Sequence, residues 1–130
     1  MDDEVKKIFT EQTWFVATVG DDANVVPIGF KMVQDDGTMV IADVAMNTTK
    51  KNLMDNGKIA VTVCDPETKK AYMAKGTATF FEEGELVDIL NKVAEEKDLP
   101  FRAKGAAMFK PTAVLAKHPG PENNTEIEWI

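Results

Sequence analysis

Six short stretches rich in β-branched and aromatic residues, each closed by turn formers, constrain this 130-residue chain more than any other feature. They are "WFVATVG" (14–20), "VVPIGFKMV" (25–33), "TMVIADV" (38–44), "KIAVTVCD" (58–65), "AYMAKGTATFF" (71–81) and "AAMFKPTAVLAK" (106–117). Strands this close in sequence, without a helix between each pair, cannot build the crossovers of a parallel sheet. An antiparallel barrel or sandwich remains, and a small barrel suits the length. Three helices are expected around it: residues 3–12, a short one opened by Thr48 or Thr49 and stopped near Asn56 and Gly57, and residues 84–97. In the first, Val5, Ile8 and Phe9 share a face; in the last, Leu86, Ile89, Leu90 and Val93 do. No long polar linker divides the chain, so one domain over 1–130 is expected.

Composition removes several function classes. Net charge is −7, from 22 acidic and 15 basic residues, which leaves no basic footprint for nucleic acid. No apolar run approaches the roughly 20 residues of a membrane-spanning helix. The start, "MDDEVKKIF", carries acids where a secretory signal would carry bases. The single cysteine, Cys64, excludes an internal disulfide and fits a reducing cytoplasm. No spacing suits a metal, and neither a nucleophile elbow nor a dinucleotide fingerprint is present. His118, alone beside "PGP", has no partner for catalysis in its local sequence.

Local chemistry concentrates in three places. "NTTKKN" (47–52) sets Lys50 and Lys51 in the first turn of a helix, where the dipole is already positive and each cation costs about 0.3–1 kcal/mol. Lysines pointing to water would tolerate this. A bound phosphate would turn it to advantage, held by the hydroxyls of Thr48 and Thr49, the free N–H groups and one lysine. In "VPIGF" (26–30), Pro27 excludes a regular central strand. Gly29 marks either a bulge or backbone open to a flat ligand, with Ile28 and Phe30 beside it. Lys75 and Gly76 lie mid-strand in "YMAKGTATF", as a surface lysine at a bulge or as a cation near a ligand. The tail "EIEWI" ends in two large apolar groups, Trp129 and Ile130, which need burial on this chain or on a second copy.

Taken in order, "WFVATVG", "VVPIGF", "MVIADVAMNTTKKNLMDNGKIAVTV" and "YMAKGTATF" resemble the FMN-binding split-barrel family, which includes pyridoxamine phosphate oxidase-like and small bacterial FMN-binding proteins. The resemblance implies a mainly β fold: a six-stranded antiparallel split barrel of Greek-key type with about three helices. It also implies a homodimer with FMN at the subunit interface. The phosphate would sit at Asn47, Thr48 and Thr49 with Lys50 or Lys51, and the ring along Pro27–Phe30 and Ala42–Asp43. Lys75 and Gly76 would lie near the site, and Trp129 would stack over the ring. Relatives often carry a basic residue before the first phosphate-binding hydroxyl, where this chain has Thr48. The implied function is a cytoplasmic FMN-dependent oxidoreductase or electron carrier for a small molecule. A deazaflavin or haem protein, a flavin sensor and a non-redox binding barrel are the alternatives.

Overall fold

The computed structural model describes residues 2–129. Helix α1 (Asp3–Glu11) starts at Asp2, whose carboxylate accepts hydrogen bonds from the N–H groups of Glu4 and Val5. Nine strands follow with two more helices among them: β1 (Trp14–Val19), β2 (Ala23–Ile28), β3 (Lys31–Val33), β4 (Met39–Asp43), α2 (Thr48–Asp55), β5 (Lys58–Cys64), β6 (Ala71–Thr77), β7 (Thr79–Phe81), α3 (Glu85–Glu96), β8 (Gly105–Phe109) and β9 (Ala113–Ala116). A five-stranded antiparallel sheet, ordered β2-β1-β5-β6-β9, faces a four-stranded one, β3-β4-β8-β7. This is the split-barrel arrangement of the expected fold class.

Six expected strands become nine because three of them break. The breaks fall at Gly29–Phe30, at Ala78 and at Lys110–Thr112, and each carries the chain from one sheet to the other. A strand that turns a barrel corner must give up its ladder there, and glycine or proline makes that cheap. Ala78 has neither aid. Its N–H is held by the carbonyl of Gly57 at 2.7 Å, which pins that corner to the turn after α2. Pro27 is tolerated because β2 is the edge of its sheet.

The main core lies between the sheets and includes Trp14, Val16, Met39, Ile41, Val61, Val63, Phe109 and Val114. Helix α1 closes one end with Val5, Ile8 and Phe9. Strand β4 is buried at every position. Its odd-numbered residues Met39 and Ile41 face the main core, and Val40 and Ala42 face α3. The α3 stripe is rotated from the expected one: Val87, Leu90 and Ala94 are buried while Ile89 is 42% exposed. Both stripes fit a helical period. The small side chains of Ala103 and Ala106 beneath the helix favour the one led by Val87 and Leu90. No helix among the described residues is long and apolar enough to cross a membrane.

Candidate functional site

A cavity of about 1000 Å3 opens between the inner face of β2, the β2–β3 corner, the segment after β4, the first turn of α2 and the C-terminal end of α3. Pro27, Ile28, Gly29, Phe30, Ala42, Asn47, Thr48 and Thr49 all line it. The volume is at the upper end of the ~300–1,000 Å3 that enclose a drug-sized ligand.

One end is built from neutral donors. Helix α2 begins after Asn47, whose side chain makes no cap bond, and its first intrahelical bond is Lys51 N–H to the Asn47 carbonyl at 3.1 Å. The N–H groups of Thr48, Thr49 and Lys50 therefore have no carbonyl within the helix to meet. Thr48 is exposed and Thr49 only 2% exposed. The segment leading into this turn is fixed from Asp43, whose Oδ1 accepts the Met46 N–H at 2.8 Å. Asp43 is fully buried, and its Oδ2 has no partner among the described residues. Its side chain alternates with that of Ala42, so Ala42 meets the cavity and Asp43 does not.

The middle is apolar. Gly29 has open space where a Cβ would project, with no atom within 4 Å. Phe30 and Phe101 stand 5.8 Å apart at the wall. The far end is cationic. Lys31 donates to the Thr10 carbonyl at 2.7 Å and lies 5.7 Å from the Trp14 ring centre. Partial burial, and then the neighbouring Lys97 ammonium, hold its pKa below the usual lysine value. Glu96 lines the same end. Such a cavity suits an elongated planar molecule with an anionic terminus.

The remaining candidates stand elsewhere. Lys50 is paired with Glu82 at 2.9 Å and lies 5.4 Å from the Phe80 ring centre; neither Lys50 nor Lys51 lines the cavity. Lys75 is exposed on the outer face of the five-stranded sheet, opposite Ala60, and its carbonyl accepts the Thr112 N–H at 2.8 Å. Gly76 serves packing, since a Cβ there would fall 2.8 Å from Phe109 Cδ2. Trp129 is buried in this chain's own core, 5.5 Å from Phe9, and donates to the Gly37 carbonyl at 2.9 Å. The other apolar tail residue, Ile130, lies outside the described residues. His118 has both ring nitrogens engaged, Nδ1 with the Ala71 backbone and Nε2 with Glu122 at 3.1 Å. Among the described residues no three His, Cys, Asp or Glu side chains gather as a metal site.

Asn24, Lys31, Lys97 and Phe101 also line the cavity, and local sequence gave no reason to choose them. By position Asn24 and Lys31 flank "VVPIGF", whereas Lys97 and Phe101 lie far from it in sequence.

The fold is that of a split-barrel protein with one large open cavity, and comparison with known proteins gives the family. The family profile described as pyridoxamine 5'-phosphate oxidase matches residues 1–120, and the chain belongs to that family, with the split-barrel fold. An uncharacterised protein of Methanocaldococcus jannaschii is 32% identical over 124 residues, covering 92% of this chain and 83% of that one. The structure of HupZ from Group A Streptococcus is similar at 25% identity and a TM-score of 0.83, over 92% of this chain and 96% of that one. An FMN-binding protein from Syntrophomonas wolfei shares the fold at 21% identity and a TM-score of 0.74, over 92% and 90% of the two chains. Two more distant structures share the fold at a TM-score of 0.64 each. They are an F420 reductase at 16% identity, covering 82% and 91%, and a heme binding protein from Mycobacterium smegmatis at 13%, covering 87% and 52%.

Proposed function

We propose that this protein binds FMN in the cavity and serves as a flavin-dependent oxidoreductase or electron carrier for a small molecule. One observation carries the reading. A single cavity joins the open backbone at Gly29 to the unbonded N–H groups that begin α2. Pro27–Phe30 and Ala42 would hold the ring. The phosphate would be held by Thr48, Thr49 and the N–H groups of the first turn, where the helix dipole favours an anion. Asn47, uncapped at the same turn, is exposed to the same ligand end. FMN, when bound, supplies hydride or electron transfer; the protein supplies binding, orientation and electrostatics. Lys31, and not Lys75, is then the cation beside the ring, and Lys97 reinforces its field.

Family membership and the FMN-binding relative of the same fold support this reading. The single histidine is a poor axial ligand for haem, because both its ring nitrogens are already bonded within the chain. A homodimer is proposed through the outer face of the five-stranded sheet. There Phe15, Val19 and Val25 are 47%, 42% and 63% exposed, and the register sets Phe15 beside Pro27 and Ala17 beside Val25. Lys75 is on that face too, where a second copy would reach it.

The test is a visible absorption spectrum of the purified protein, before and after addition of FMN. Flavin bands, and release of FMN on denaturation, are expected. A deazaflavin or haem spectrum would replace FMN by that cofactor. A colourless protein that takes up no FMN would end the flavin reading. Turnover with nicotinamide or thiol donors then separates an enzyme or carrier from a sensor.

A further inference from the structure

Asn24 joins three elements at the neutral end of the cavity. From β2 its Nδ2 donates to Thr49 Oγ1 on α2 at 2.9 Å and to Thr18 Oγ1 on β1 at 3.2 Å. Thr18 Oγ1 also accepts from Asn52 Nδ2 at 3.0 Å. Thr18, Thr49 and Asn52 are 5%, 2% and 4% exposed, so this is a buried polar network whose one half-buried member, Asn24, lines the cavity. Gly20 makes room for it, because a Cβ there would strike Asn52 Oδ1.

A hydroxyl has one proton to give. Thr49 Oγ1 accepts from Asn24, and no protein acceptor among the described residues takes the Thr49 proton. It is left to face the cavity that Thr49 lines. We infer that Asn24 is a positioning residue: it holds Thr49 as a hydrogen-bond donor and so selects a ligand end that only accepts, a phosphate monoester over the corresponding free alcohol. The choice of test ligands rests on the flavin reading, since FMN and riboflavin differ only by that phosphate. An aspartate at position 24 would reverse the arrangement. It would accept the Thr49 proton and place a negative charge beside the phosphate.

The experiment measures Kd for FMN and for riboflavin, by quenching of flavin fluorescence, in the parent protein and in Asn24→Asp, Asn24→Ala, Thr49→Val and the Asn24→Ala/Thr49→Val double variant. Asn24→Asp is expected to weaken FMN at least 30-fold and riboflavin less than 3-fold. Asn24→Ala is expected to lower the preference for FMN about tenfold in the parent and less than twofold in Thr49→Val, because without the hydroxyl there is nothing left to position. The milder Asn24→Ala comparison stands even if Asn24→Asp does not fold. Equal losses for both flavins, or the same loss in both backgrounds, would overturn the inference while leaving the flavin reading intact. Parent protein that binds neither flavin would overturn both.

Discussion

Trp129 shows how much one side chain's position decides. In this chain it fills the core beside Phe9 and satisfies the Gly37 carbonyl. Trp129→Ala should therefore cost about 3–5 kcal/mol, and Trp129→Phe about 1 kcal/mol for the lost hydrogen bond, both read as urea midpoints. Unchanged midpoints with weakened flavin binding would instead place the indole over the cofactor. Lys50 and Lys51 act from a distance, since Glu82 already holds Lys50 and neither reaches the cavity. Changing both to alanine should weaken FMN less than tenfold, and the difference should vanish near 0.5 M salt, where screening reduces the range to a few ångströms. A salt-independent loss would mean direct contact with the phosphate. The residues that the sequence offered through backbone chemistry, Pro27 to Phe30 and Thr48 to Thr49, do gather around one cavity. Lys97 and Phe101 were not legible, because the fold brings them there from distant positions, and Asn24, although on β2 with Pro27, carried no local sign of its bond to Thr49. Lys75 and Gly76 were read from "YMAKGTATF" and Trp129 from the tail, and the family resemblance added their place at the site, but none of these signals says which face of the protein, or which copy of it, a residue serves.

Among the elements, two glycines packed within strands contrast with one left open at the β2–β3 corner. Gly76 and Gly105 are packed, with a Cβ at either falling 2.8 Å from an aromatic ring atom. Gly29 is not. Gly76→Ala should destabilise by about 1–3 kcal/mol, seen as a lower melting temperature. Gly29→Ala should leave the melting temperature within about 2 °C, for a change under ~0.5 kcal/mol, yet weaken FMN about tenfold. A stability loss at Gly29 would make that corner structural. The positions of the strands could be read from β-branched runs and turns, but their number could not. A barrel corner interrupts hydrogen bonding without interrupting hydrophobicity, so 71–81 reads as one strand although Ala78 divides it. The rotation of α3 was hidden for a similar reason: two stripes on the helix satisfy the same period, and only the alanines beneath it choose.

At the scale of the whole molecule, charge and apolar surface are distributed unequally. The chain is strongly acidic, yet the outer face of one sheet carries Phe15, Val19 and Val25 in the open. If that face joins two copies, sedimentation should give twice the 14.3 kDa of the chain, and Val25→Lys with Phe15→Glu should return it to 14.3 kDa. A parent protein that sediments as a monomer at micromolar concentration would remove the dimer. Whether the cavity seats FMN with its phosphate on the first turn of α2 can be read most directly from amide 1H–15N spectra recorded during parallel titrations with FMN and riboflavin. The Gly29 and Phe30 amides are expected to shift with both ligands, and the Thr48, Thr49 and Lys50 amides to shift downfield with FMN alone. Shifts centred on Lys31 and Lys97 when FMN is added, with the α2 amides unmoved, would put the phosphate at the opposite end and contradict this seating.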